Sequence, residues 1–187
     1  SIEAANPDHI LVIHGDHIAQ IDYRKIIDHH IENDADMTVT TISQKPEMAS
    51  KFGNIVADKE TGILKEFYEK PEEPKGQKNS KGYVYINAGV YLFKKNELIE
   101  ALRKDEKNKD SEHNISKNII PQMLKDKKKL NTYYYKGKDD NPYNWHFFLN
   151  LDNYYDTNMQ ILDIDNKDID LDNPEWPIKT NQTQNPP

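Results

Sequence analysis

Three short runs carry residue types and spacings able to do chemistry. In Ile13-His-Gly-Asp-His17 an apolar run stops at a glycine and a carboxylate. The space past a strand's carboxyl end is where α/β sheets receive ligands. Gly15 permits close backbone approach, and Asp16 has the hard oxygen that Mg²⁺ prefers against phosphate oxygens. The same run also fits an ordinary Gly-Asp turn. His14, Asp16 and His17 are in addition zinc-ligand types, although adjacent residues at a strand end point to different faces. In Glu66-Phe-Tyr-Glu-Lys-Pro71 a strand ends in a carboxylate and an ammonium, stopped by proline. Lys70 suits a phosphate as a point charge, and Glu69 suits hydroxyl donors; a solvated charged loop has the same composition. In Tyr85-Ile-Asn-Ala-Gly-Val-Tyr91 a glycine interrupts a strong strand. Gly89 there marks a bulge or a close approach, and Asn87 beside it can bond a hydroxyl.

The elements that must position these residues follow from periodicity. Residues 9–14 form a short apolar run, as in a buried parallel strand. Residues 23–33 place Tyr23, Ile26, Ile27 and Ile31 at helical spacing behind Asp22, a suitable N-cap. The β-branched residues 37–43 read as a second buried strand, so the chain opens strand, helix, strand. Residues 52–57 and 63–69 flank a turn at 58–62 and read as a hairpin. Residues 83–93 give the longest strand; 96–104 and 115–126 read as helices, and 130–136 and 145–150 as strands. Residues 151–162 carry apolar side chains at 151, 154, 155, 159 and 162, one helical face.

The 187 residues suffice for one domain with a sizeable core. Charged residues make up 30%, and the net charge of -7 gives no basic footprint for nucleic acid. Local lysines and backbone N–H groups can still hold a small anion. Cysteine is absent, which excludes disulfides and thiolate chemistry. The first apolar run is too short for a signal peptide, and no stretch approaches the roughly 20 residues of a membrane span. The expected location is therefore the cytoplasm, or a plastid in a photosynthetic eukaryote, with no membrane or nucleic-acid partner.

Taken in order, these runs resemble the glucose-1-phosphate adenylyltransferase (ADP-glucose pyrophosphorylase) family. The resemblance rests on His14-Gly-Asp-His-Ile18 with Ile21-Asp-Tyr23, Phe67-Tyr-Glu-Lys-Pro71, Asn87-Ala-Gly-Val-Tyr-Leu-Phe93, His113-Asn-Ile-Ser-Lys-Asn-Ile-Ile-Pro121 and Asn173-Pro-Glu-Trp-Pro-Ile-Lys-Thr180. It implies an α/β fold: a mixed, mostly parallel sheet flanked by helices, Rossmann-like and incomplete at the N-terminus. Residues 1–162 would be a partial nucleotidyltransferase catalytic domain. Residues 163–187 would be an extended linker toward an absent C-terminal left-handed β-helix domain. The implied reaction joins ATP and glucose 1-phosphate into ADP-glucose and pyrophosphate, for glycogen or starch synthesis, with Mg²⁺ as cofactor and a homo- or hetero-oligomer as the full-length assembly. By position, Asp16 is the catalytic and metal-associated carboxylate. Glu69 and Lys70 are glucose-1-phosphate contacts, and Asn87 and Gly89 line the sugar.

The sequence departs from that family in specific places. The glycine-rich ATP-phosphate loop would lie before Ser1, so the chain alone is expected neither to bind ATP well nor to turn over. The second metal-binding aspartate of the family corresponds to Phe147, which has no oxygen to offer; Asp152 or Asp139 could substitute by a local shift. Asn114, Ser116 and Asn118 stand where the family often has Asp, Gly and an acid, and Asn87 replaces a usual serine. Two further readings therefore stand beside the transferase: a degenerate, regulatory subunit of the same family, and a pyrophosphorylase using another nucleotide or hexose.

Overall fold

A computed structural model of the chain describes residues 2–19, 21–136 and 145–162. The chain divides into two compact units. One combines Ser1–Gly15 with Asp22–Pro142, and the other combines Asp16–Ile21 with Tyr143–Pro187.

In the first unit, helix α1 (Ile2–Ala5) precedes strand β1 (His9–Ile13). Helix α2 (Tyr23–Glu32) starts where Asp22 turns its carboxylate back onto the Arg24 N–H at 3.1 Å, the N-cap that the sequence predicts. Strand β3 (Met37–Gln44) follows, then the short helix α3 (Pro46–Ala49). Strands β4 (Asn54–Ala57) and β5 (Leu64–Tyr68) form the expected hairpin. Its turn is tied by Asp58, whose Oδ1 accepts from the Glu60 and Thr61 N–H groups and the Thr61 hydroxyl. The long strand β6 (Val84–Lys94) leads directly into helix α4 (Lys95–Glu106). A π turn (Ile115–Ile119) opens helix α5 (Ile120–Lys125), and strand β7 (Leu130–Tyr134) completes the described sheet.

The sheet runs β5-β4-β6-β3-β7, with β1 also on β6. Strands β1 and β3 both run antiparallel to β6, so they are parallel to each other with β6 between them. The opening βαβ unit is therefore present but split. A mixed α/β sheet flanked by helices is as expected. Its mostly parallel character is corrected: among the described residues, β3–β7 is parallel and the other pairs are antiparallel. Continuous apolar runs do not report strand direction: β3 and β6 are buried along nearly their whole length, whereas β1, an equally apolar run, is half-buried and pairs antiparallel with β6. On one face Val39, Tyr91 and Phe93 pack with Leu98, Ile119 and Met123 of the helices. On the other, His30 of α2 bonds the Thr38 hydroxyl at 2.7 Å.

Residues 115–126 do not form one helix. Pro121 lacks the N–H that would bond back to Lys117, and the turn before it widens, with the Ile119 N–H reaching Asn114 O at 3.3 Å. Asn54 is fully buried and fully used. Its Nδ2 donates to Ala49 O and Phe52 O, and its Oδ1 accepts from the Lys75 and Gly76 N–H groups. It thereby fixes the entry of β4 to the loop that leads into β6.

In the second unit, strand β2 (His17–Ala19) pairs antiparallel with β8 (Trp145–Phe147), and helix α6 (Leu151–Leu162) follows. The strand expected over 145–150 is shorter than predicted, and the helix over 151–162 is as predicted. Residues 163–187, including the expected linker and the run 173–180, and Asp139 lie outside the described residues. No helix among the described residues is long and apolar enough to cross a membrane.

Candidate active site

One edge of β6 carries a gap. Strand β1 pairs with Val90 to Lys94 of that edge, and β4 pairs with it at Ile86. Because both run antiparallel to β6, the exit of β1 meets the entry of β4 beside Asn87 and Gly89. Two backbone bonds close the junction: the His14 N–H donates to Gly89 O at 2.9 Å, and the Asn87 N–H donates to Gly53 O at 2.8 Å. Strand β5 returns alongside β4, so its exit reaches the same junction, with the Lys70 N–H on Phe52 O at 3.3 Å. Glycine at 89 is required twice over. Its φ is +73°, and a Cβ there would stand 2.9 Å from His14 Nδ1.

Glu69 is the chemically unusual group at this junction. Its Oε2 is buried and makes no hydrogen bond among the described residues. A Cβ on Gly53 would lie 3.0 Å from that oxygen and 2.4 Å from the Phe67 ring, so the absence of a side chain at 53 makes the space for it. Burial raises the Glu69 pKa, while the Lys70 and Lys117 charges act the other way. Lys70 itself is exposed, with φ +43°, a left-handed conformation that a lysine adopts only when its surroundings impose it.

Asn87 lies at the junction as expected, but its side chain is committed inward. Its Nδ2 donates to the Tyr91 hydroxyl at 2.7 Å and to Ser116 Oγ at 3.3 Å, its Oδ1 accepts from the Gly89 N–H, and Tyr91 and Ser116 meet at 3.1 Å. Asn87 thus shapes the floor of the site through Tyr91 and Ser116. The first unit brings Glu69, Lys70, Asn87 and Gly89 to one junction. Gly53, Tyr91 and Lys117 join them without having been singled out, and so does Ser116, which the sequence marks only as a departure from the family pattern. The signals were present in the sequence as Gly53 at a strand entry and the pattern Asn-x-Ser-Lys ahead of Pro121.

The second unit holds Asp16. Its side chain is 75% exposed, and its carbonyl accepts the Phe148 N–H at 3.0 Å. His17 Nδ1 lies 3.6 Å from Asp16 Oδ1, and His17 faces Phe147 across the two-stranded ladder. Position 147 is thus one rung from Asp16, and it carries a ring packed on Trp145 with centroids 5.3 Å apart. Asp152 lies in the first turn of α6. No three His, Asp or Glu side chains are gathered as a metal site among the described residues, so the zinc set His14, Asp16 and His17 is not assembled. For Mg²⁺, the donor chemistry of Asp16 fits one carboxylate ligand, with other positions left to phosphate oxygens and water; Phe147 contributes none.

Residues 1–164 match the family described as Nucleotidyl transferase. The chain belongs to the nucleotidyl transferase family. This nucleotidyl transferase chain is similar to proteins named glucose-1-phosphate adenylyltransferase. With that of Saccharophagus degradans it is 39% identical over 188 residues, covering 100% of this chain and 44% of the relative. With that of Geobacillus stearothermophilus it is 35% identical over 186 residues, with the same coverages, and with that of Teredinibacter turnerae 35% over 185 residues, covering 97% and 43%. The chain spans less than half the length of these relatives. In this nucleotidyl transferase chain the matched region contains both β1's exit and the Glu69–Lys70 rim.

Proposed function

We propose that the chain supplies the sugar-phosphate side of a nucleotidyl transfer site, and that the protein carrying it joins glucose 1-phosphate to ATP, forming ADP-glucose and pyrophosphate. The observation that carries this reading is Glu69: a buried carboxylate oxygen with no donor among the described residues, next to an exposed ammonium. A sugar hydroxyl donates to Glu69 Oε2, and the phosphate meets Lys70. An unsatisfied buried acceptor costs about 1–3 kcal/mol until a ligand donor reaches it, so the site gains most from a hydroxylated ligand. The names of the relatives support glucose 1-phosphate and an adenylyl donor.

In this mechanism the chain's own residues act mainly by positioning. Gly53 leaves room for Glu69. The Asn87–Tyr91–Ser116 cluster fixes the floor. The left-handed turn at Lys70 leaves that residue exposed just past the end of β5. The sugar phosphate held this way presents its oxygen in line to the α-phosphorus of the nucleotide. Magnesium, when bound, supplies charge neutralisation on the phosphates, and Asp16 is the described residue that would hold it. Lys70→Ala in the full-length protein should raise KM for glucose 1-phosphate about tenfold or more with a smaller change in KM for ATP. Equal KM values for both proteins would overturn the sugar-phosphate reading.

Phe147 favours a second reading, a subunit with weakened metal chemistry that regulates or supports an active partner. Phe147→Asp places a carboxylate one rung from Asp16. Under this second reading, the substitution in the full-length protein should raise pyrophosphorylase activity several-fold and lower the Mg²⁺ concentration needed for half-maximal rate. Unchanged activity and metal dependence would count against a lost ligand at this position.

A further inference from the structure

The π turn brings a second lysine to the Glu69 junction, and its backbone is unusually well fixed. Asn114 Oδ1 accepts from the Ser116 N–H at 2.9 Å and from the Lys117 N–H at 3.1 Å, and Asn118 Oδ1 accepts from the Asn114 N–H in return. Ser116 Oγ is bonded to the Asn87 amide, whose own backbone N–H sits on Gly53 O. Gly53 is the residue against which Glu69 Oε2 lies. Lys117 is therefore one residue from the floor of the site and anchored to it.

Its ammonium is parked. Lys117 Nζ lies 2.6 Å from Glu112 Oε2, and the two side chains are 44% and 64% exposed. An ion pair this exposed contributes little, because water screens it and two long side chains must be ordered to make it. Glu112 offers one negative charge; a sugar phosphate offers nearly two at neutral pH and a second cation, Lys70, to share. The exchange of a monoanionic exposed partner for a dianion held from two sides is favourable. The electrostatic coupling is already present without ligand: Lys117 helps to hold Glu69 charged, and Glu69 in turn favours the Lys117 ammonium. The residue leading into the turn, His113, has φ +54°, a left-handed conformation like that of Lys70.

We propose that Lys117 is the second cation of the phosphate seat, released from Glu112 when the sugar phosphate binds. The inference rests on reading this junction as a sugar-phosphate site. Glu112 then acts as a built-in competitor that lowers affinity for any phosphate, and the Glu112–Lys117 pair tunes how readily the site fills.

The test is calorimetric titration of the full-length protein with glucose 1-phosphate, and with inorganic phosphate as competitor. Lys117→Met should weaken glucose 1-phosphate about tenfold, and Glu112→Gln should tighten it about threefold and make inorganic phosphate a stronger competitor. Opposite signs from two exposed neighbours are not expected of a merely structural pair, whose loss in either direction lowers the thermal midpoint and leaves affinity alone. If Lys117→Met binds like the parent while Lys70→Ala is weakened, the inference is overturned and the sugar-phosphate reading stands. If neither lysine substitution changes affinity, that reading itself is overturned. Should Lys117→Met fail to fold, the gain from Glu112→Gln decides: tighter binding supports the proposal, and unchanged or weaker binding overturns it.

Discussion

Glu69→Gln in the full-length protein is expected to lower kcat/KM for glucose 1-phosphate on the order of a hundredfold, the loss of a charge-assisted bond, while raising thermal stability at pH 7. The two effects have one cause. Folding buries the carboxylate, with no donor to Oε2 among the described residues, and burial raises its pKa from the usual 4.5. The folded chain therefore binds the proton more tightly than the unfolded chain does. The resulting contribution to stability is fully present below 4.5 and is lost as pH rises through the raised folded value. At pH 7 the parent carries the cost of a poorly solvated charge, which the neutral amide removes at nearly equal volume. Differential scanning calorimetry at pH 5 and pH 7 should show the stabilisation at the higher pH and a smaller one at the lower. Activity measured on the same samples separates the site's need for an anion from its need for a folded neighbourhood. A variant less stable than the parent at pH 7 would show that Glu69 is satisfied in the ligand-free protein.

Strand ends are legible where an apolar or alternating run stops abruptly, as before Asp16 and at Glu69–Lys70. The roles of these residues are not legible from period, because an ordinary turn or a solvated charged loop leaves the same pattern; they come only from the family resemblance. Gly89 was legible because glycine in a strong strand is costly unless geometry demands it, and its φ and its approach to His14 supply the demand. Asn87 bonds inward, which no local pattern shows, because the residues it bonds lie 4 and 29 positions away. The strand β2 was missed for a similar reason. Three residues are too few to show a period, and they are strand only because β8 pairs with them from far along the chain. Sheet direction was misjudged because hydrophobicity reports burial, and a strand buried on both faces looks the same whether its neighbours run with it or against it. The π turn is not legible from periodicity, because it depends on the one N–H that Pro121 lacks.

Acid is expected to weaken the first unit mainly through His30, by about 3 kcal/mol between pH 6.5 and pH 4. The imidazole is fully buried between α2 and β3, with Nδ1 on the Thr38 hydroxyl and Nε2 without a partner among the described residues. Burial is the leading cause that lowers its pKa from 6.5 to about 4, and the nearby charges of His9, Lys94 and His29 add to it against the opposing pull of Asp36. His9 stands edge-on to it with centroids 5.1 Å apart, and its own Nδ1 also makes no hydrogen bond among the described residues. Because the folded pKa is depressed, the contribution to stability is present above 6.5 and is lost as pH falls through 4, with a slope of at most about 1.4 kcal/mol per pH unit from one proton. Glu69 runs in the opposite sense over the lower part of this range, so urea denaturation is best compared in the Glu69→Gln background. There the double substitution His30→Leu with Thr38→Val should flatten the acid limb, since both hydrogen-bonding partners are replaced by apolar groups and no buried polar atom is stranded. A limb that keeps its slope in the double variant would place the titrating group elsewhere, and would mean that the His30 ring finds water or an acceptor for its second nitrogen in solution.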